Sequence, residues 1–353
     1  MSQNPPINTT WSRQLAKGLI DPNKLETLSN LSQPELKAIK ENFDVRVPLE
    51  WVEMLSREEI RKQVVPDKQE LTKHRYELKD PIGDELFSPI PGLTHRYQDR
   101  VLLKPTYLCG VYCRFCFRRY KVSKSSENLT KDQLSEAIEY IKTHEEIHEV
   151  ILTGGDPLTL TNQRLETLLK TLDAIPHVRR LRIHSRIPVV LPERVDQGLL
   201  SIFSSLKKPL WLSIHANHPV EFSEHVASIL KPLHLSGVHL ILQSVLLKDV
   251  NDSLETLKEL FERSLDLGIK PYYLHYPDQA EGTDHFRIPL DEAIELFSQL
   301  RGQVSGHALP HFVLDLPHGY GKIPLDKSYL SKEGDHQYRA LSPVTKEFVT
   351  VKY

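Results

Sequence analysis

The feature that most constrains this chain is a rhythm. Short apolar segments recur about every thirty residues with a helix-like segment between them, the period of a βα unit. The strand-like segments are residues 101–103, 149–153, 180–184, 210–215, 238–245 and 270–275, each followed by a polar loop. Between them, Leu134, Ile138 and Ile141 share one helical face, as do Leu165, Leu168, Leu169 and Leu172, and then Leu254, Leu257, Leu260 and Phe261. Thr130 and Gln133 form a capping-box pair for the first of these helices. Six parallel strands with covering helices suit a partial α/β barrel better than a doubly wound sheet, and the pattern alone leaves both open. In either fold, functional groups gather in loops at the carboxyl ends of the strands.

The flanks read differently. Residues 1–90 carry Pro-punctuated polar helices, such as 32–43 with Ser32, Pro34 and Glu35 as start signals, and are expected to form a helical accessory region. Residues 91–305 hold the βα units, and 306–353 form a short carboxyl-terminal extension with one more apolar strand at 312–315. The 353 residues include 45 Lys plus Arg against 47 Asp plus Glu, a formal charge of −2 that offers no driving force for capturing nucleic acid or an anionic membrane. MSQNPPINTT has neither the basic start nor the apolar core of a secretory leader, so a cytoplasmic protein is expected.

All three cysteines, Cys109, Cys113 and Cys116, fall in CGVYCRFCFRR. An odd count in one cluster is no disulfide framework, and a structural zinc site needs four ligands, usually as two separated pairs. A 4Fe-4S cluster is normally held by four thiolates, so three leave one iron open to a ligand that is not protein. The spacing Cys-x3-Cys-x2-Cys, with Phe115 before the last cysteine, resembles the radical S-adenosylmethionine enzymes. There the open iron chelates the amino and carboxylate groups of S-adenosylmethionine, and one electron cleaves it to a 5'-deoxyadenosyl radical. In LTGGDPL, Gly154, Gly155 and Asp156 resemble that superfamily's glycine-rich contact to the methionine amino end. Ser185, His215 and Gln243, at strand ends, are further cofactor-contact candidates.

Lys322 in LDLPHGYGKIP suggests a second cofactor. A lysine that forms a Schiff base needs a fixed path, and Gly319 and Gly321 let the backbone turn closely. By itself this could equally be an exposed turn. It is not a P-loop, because Leu316 and Ile323 stand where that motif needs Gly and Ser or Thr.

Taken together, THRYQDRVLL, CGVYCRFCFRR, LTGGDPL, RIHSRIPVVLPERV, HANHP, QSVLLKDVND, PYYLHYPDQAEGTDHFR and VLDLPHGYGKIPL resemble the lysine 2,3-aminomutase family, in order, from residue 89 to 325. The resemblance implies a partial (βα)6 radical S-adenosylmethionine barrel that also uses pyridoxal 5'-phosphate. By it, Lys322 is the internal aldimine lysine, and Arg96 and Arg100 hold the pyridoxal phosphate group. Arg118 matches the arginine that binds the substrate carboxylate, and Asp278 and Asp315 match the aspartates that receive the distal ammonium of L-lysine. Two carboxylates on one ammonium favour lysine over an acidic substrate. The implied reaction converts L-lysine to β-lysine by radical 1,2-migration of the amino group, with a low-potential electron donor as partner and a homo-oligomer allowed.

Longer family members bind zinc through cysteines of a carboxyl-terminal extension, and no spare cysteine is present here. WSRQLAKGLIDPNKL and Phe117 resemble the shorter branch, whose β-lysine goes to a ligase acting on elongation factor P, whereas LDLPHGYGK looks more like the degradative branch. Two alternatives remain at this stage. An aminomutase for another amino acid would not need the aspartate pair, and a non-catalytic iron-sulfur protein would have no use for Lys322, Arg96 or Arg100.

Overall fold

The computed structural model describes residues 10–17, 22–325, 330–342 and 345–353, so residues 18–21 of WSRQLAKGLIDPNKL lie outside the described ones. Nine strands form one sheet in chain order: β1 Leu93–Tyr97, β2 Arg100–Thr106, β3 Glu149–Gly154, β4 Arg180–Ser185, β5 Leu210–His215, β6 His239–Val245, β7 Lys270–His275, β8 His311–Leu316 and β9 Gly321–Pro324. Every pairing from β2 to β8 is parallel, while β1 and β9 add antiparallel at the two edges. The barrel reading holds, with the parallel run reaching seven because the 312–315 segment joins it as β8. The rhythm did not reveal β1, which pairs back on β2 through the tight turn at Gln98 and Asp99.

Helix cover explains the strand composition. All six residues of β3 are buried, as expected of a parallel strand packed on both faces. Leu165, Leu168, Leu169 and Leu172 are all buried on the helix Asn162–Asp173, and Leu257, Leu260 and Phe261 on Leu254–Asp266. The helix Lys131–Thr143 starts with the expected box: the Gln133 N–H donates to Thr130 Oγ1 at 3.2 Å, and the Thr130 N–H to Gln133 Oε1 at 2.9 Å. Ahead of the barrel lie short helices, including Gln33–Asn42 and Glu58–Val64, and a three-stranded antiparallel sheet (Leu330–Gly334, Gln337–Leu341, Phe348–Lys352) follows it.

The edges of the nine-stranded sheet meet. The Lys322 N–H on β9 donates to Tyr97 Oη on β1 at 3.1 Å, and the His318 N–H to Pro81 C=O at 3.2 Å. The β8–β9 turn needs glycine at 319, where φ is +80° and a Cβ would lie 2.4 Å from the Phe87 ring. No described helix is long and apolar enough to cross a membrane.

Candidate active site

The cysteine loop leaves the carboxyl end of β2 and is gripped by the amino-terminal region. Arg46 C=O accepts the Tyr112 N–H at 3.0 Å and Gln63 C=O the Arg114 N–H at 2.8 Å. The buried Glu70 carboxylate accepts from Arg114 Nε at 2.9 Å, from Arg114 Nη2 at 2.6 Å and from Arg119 Nη2. Burial works against that charge, but the two guanidinium groups win and hold Glu70 at about 2. Residues 1–90 therefore reach into the site.

Burial pushes the Cys109 thiol well up and the Cys116 thiol to about 12, so both stay protonated at neutral pH unless a metal displaces the proton. Cys113 Sγ accepts from Arg186 Nη1 at 2.9 Å, and that guanidinium is anchored on the buried Glu221, 3.0 Å away. Among the described residues no three His, Cys, Asp or Glu side chains close around a single metal ion. A cubane asks for a wider arrangement, one thiolate per iron, and three thiols on one loop beside a buried cation suit it.

The Gly-Gly-Asp segment after β3 packs on this loop. The Gly155 N–H donates to Thr106 C=O and the Asp156 N–H to Leu108 C=O, both at 2.8 Å, and a Cβ on Gly155 would lie 2.4 Å from Leu108 O. Asp156 accepts from the Leu158, Arg186 and Ile187 N–H groups at 3.0, 2.8 and 3.1 Å, and from Ser185 Oγ at 2.8 Å. Both carboxylate oxygens are thus committed to protein donors. Asp156 and Ser185 tie the β3 and β4 loops together and hold Arg186 against Cys113. Burial raises Asp156 to about 6 even so. His215 and Gln243 are register partners on β5 and β6. Burial, then Arg186, push His215 down to about 3, leaving it neutral beside the Phe115 ring.

A second constellation is cationic. Buried Asp84 accepts from Arg118 Nε at 2.7 Å and lies 3.8 Å from Lys104 Nζ and 3.7 Å from Arg96 Nη2. Burial opposes the Asp84 charge, but Arg118 and Lys104 pull it down to about 2, while burial lowers Lys104 to about 8. Three cations thus share one carboxylate, and Asp84 Oδ1 and Arg96 Nε have no hydrogen-bond partner. The excess positive charge suits anionic groups such as a phosphate and a carboxylate. Arg100 stands apart from this cluster, half-exposed and paired with Asp99 at 2.6 Å.

The third constellation surrounds Lys322. Its Nζ pairs with Asp315, the register partner across β8 and β9, and lies 3.2 Å from His275 Nδ1. Asp315 is held below the usual carboxylate range, burial being outweighed by Lys322 and His275. Asp278, just past β7, behaves oppositely: burial and the Asp315 charge raise it to about 8, and its Oδ1 is buried without a partner. The structure places Lys322, Asp278 and Asp315 near one another, with Asp315 paired to Lys322. Asp84, Lys104, Glu70, Arg186 and His275 were not singled out from sequence. Lys104 alone left a signal there, a charge inside the apolar run VLLKPT.

Residues 103–276, from β2 through β7, match the Radical SAM superfamily, and residues 297–338, which carry Asp315 and Lys322, match Lysine-2,3-aminomutase. L-lysine 2,3-aminomutase of Methanococcus maripaludis is 36% identical over 95% of this chain and 80% of its own length. That of Escherichia coli is 36% identical over 92% of this chain and 96% of its own. That of Fusobacterium nucleatum is 41% identical over 79% of this chain, and the chain spans 65% of that relative's length. With both halves of the barrel matched and relatives this similar along nearly the whole chain, the chain belongs to the lysine 2,3-aminomutase family of the Radical SAM superfamily.

Proposed function

We propose that the chain is an L-lysine 2,3-aminomutase that converts L-lysine to β-lysine with a 4Fe-4S cluster, S-adenosylmethionine and pyridoxal 5'-phosphate. The superfamily implies the first two cofactors; the third rests on the surroundings of Lys322. When bound, these groups supply a hydrogen-abstracting radical and a conjugated ring that delocalises an unpaired electron. The chain's own residues supply the rest. Cys109, Cys113 and Cys116 hold the cluster, with Arg186 Nη1 donating to Cys113 Sγ. Gly154 and Gly155, which pack on the β2 strand end and its loop, and His215 and Gln243, register partners on β5 and β6, supply further cofactor contacts, and Asp156 and Ser185 act as positioning residues behind Arg186. Lys322 offers its amine to the pyridoxal carbonyl. Arg96, supported by Lys104, takes the phosphate, and Arg118, with Nε committed to Asp84 and Nη1 donating to Thr153 Oγ1 at 3.4 Å, keeps Nη2 for the substrate carboxylate.

The observation that carries the choice of lysine is the Asp278 carboxyl, with a buried and unpartnered oxygen beside Asp315. An arriving ammonium gives that oxygen a donor and removes the reason for Asp278 to stay protonated. Anaerobic reconstitution followed by L-lysine, S-adenosylmethionine and a reductant should yield β-lysine, with an absorption band of bound pyridoxal that Lys322→Ala abolishes. Loss of no band in that variant, or preference for L-glutamate or L-alanine, would overturn the reading.

A further inference from the structure

Lys322 cannot act as a nucleophile while it is an ammonium, and its Nζ is ion-paired with Asp315. The group that takes its proton is identified by strand register. His275 on β7 pairs with Val313 on β8, which places Asp315, two residues on, along the same face. Asp315 in turn pairs with Lys322 on β9. One imidazole atom, Nδ1, thus lies 3.2 Å from Lys322 Nζ and 3.2 Å from Asp315 Oδ2. The other ring nitrogen, Nε2, is buried without a partner. The charged and titratable groups facing this ring are Lys322, Asp315 and Tyr273, with His184 and His215 further along the barrel wall.

We propose that His275 is the proton acceptor for Lys322, forming a Lys322–His275–Asp315 relay, an inference that rests on the pyridoxal reading above. Nδ1 takes one proton from the Lys322 ammonium and then, as an N–H, donates to Asp315 Oδ2, which stabilises the imidazolium as it forms. The freed lone pair on Nζ bonds to the aldehyde carbon of pyridoxal phosphate, and a second proton passes from nitrogen to the former carbonyl oxygen. The proton held on Nδ1 joins the same oxygen, which leaves as water. Carbon and nitrogen end doubly bonded, with one hydrogen and the positive charge on nitrogen, so atoms and charge balance.

The test is the rate at which pyridoxal phosphate attaches to the cluster-loaded protein, followed by absorbance as a function of pH. In wild type the rate should rise with pH through the titration of His275, which burial and the neighbouring Lys322 hold below the ordinary histidine range against the opposing pull of Asp315. His275→Gln should lose that inflection, slow by on the order of 10²-fold at pH 7, and recover only as pH approaches the range where lysine deprotonates unaided. His275→Ala should be accelerated by added imidazole, while the far-ultraviolet circular dichroism of both variants stays that of wild type, which separates loss of the base from loss of the fold. An unchanged rate and profile in His275→Gln, or a lost inflection only in Asp315→Asn, would overturn the proposal and leave the functional reading standing. Wild-type protein that takes up no pyridoxal phosphate would instead overturn the functional reading.

Discussion

Replacing Asp84 by Asn tests whether the cationic cluster is as unbalanced as the contacts indicate. Asp84 is the carboxylate shared by Arg118, Lys104 and Arg96, with side-chain separations of 2.7, 3.8 and 3.7 Å. Its carboxyl is pulled from 3.8 to about 2. At about 1.4 kcal/mol per pK unit, the charged form is favoured in the fold by about 2.5 kcal/mol. Removing one member of a buried ion pair costs roughly 3–5 kcal/mol, so a loss of about 3 kcal/mol is expected. With a urea slope of about 3 kcal/mol per molar, the unfolding midpoint should fall by about 1 M. The sign follows from linkage: a depressed carboxyl stabilises fully above its unfolded value and loses that contribution as pH falls through the folded one. The difference between the proteins should be full at pH 7 and begin to close below about pH 4. Inorganic phosphate should restore part of the loss, because the variant leaves the buried Arg118 and Arg96 without their shared counter-charge. Equal midpoints at pH 7, with equal response to phosphate, would refute the charge accounting and with it the assignment of this cluster to anionic groups.

Three further outcomes follow from the same contacts. Cys109→Ala, Cys113→Ala or Cys116→Ala should each abolish reductive cleavage of S-adenosylmethionine and leave pyridoxal uptake largely intact, since two thiolates do not hold a cubane with one open iron; near wild-type cleavage in any of them contradicts the cluster assignment. Asp278→Asn should lower kcat/KM for L-lysine by roughly 10- to 150-fold while making the protein more stable at pH 8 than wild type. The reason is that a carboxyl raised to about 8 by burial destabilises the fold as pH rises above its unfolded range; a variant that binds lysine normally, or is no more stable at pH 8, argues against the acidic pair. Glu70→Gln leaves Arg114 and Arg119 facing a neutral amide, so the reconstituted protein should lose iron faster on gel filtration; unchanged iron retention would mean the amino-terminal grip is dispensable for the cluster.

Local features of the sequence carried the barrel and the cofactor loop because their signals are local. The Leu165 to Leu172 stripe, the Thr130 box and the cysteine spacing each lie within a few turns of chain. Asp84, Glu70 and His275 were invisible for the opposite reason. Asp84 meets Arg118 across 34 residues and Glu70 meets Arg114 across 44, and neither carboxylate sits in a pattern that marks it as buried. His275 ends the strand KPYYLH as an unremarked polar residue and acquires meaning only when β8 and β9 place Asp315 and Lys322 beside it. At Asp156 the segment was legible but its partners were not: beside the local Leu158 N–H, its oxygens are filled from Ser185, Arg186 and Ile187, about thirty residues away.

The seam between β1 and β9 explains why one site draws on both ends of the domain. Arg96 and Lys322 are separated by most of the barrel's length in sequence, and the parallel ladder alone would leave their strands on opposite edges of an open sheet. The hydrogen bond from the Lys322 N–H to Tyr97 Oη, one residue from Arg96, brings those edges together without a backbone ladder. A side-chain bridge satisfies the edge amide yet leaves the barrel wall unsealed there. Under the function proposed above, that is the place where a phosphate on Arg96 and a carbonyl carbon met by Lys322 would belong to one small molecule. The glycines of HGYGK serve this closure, since the turn at Gly319 passes so close to Phe87 that no side chain fits. A substitution there would disturb the seam and the Lys322 strand before it touched the cysteine loop.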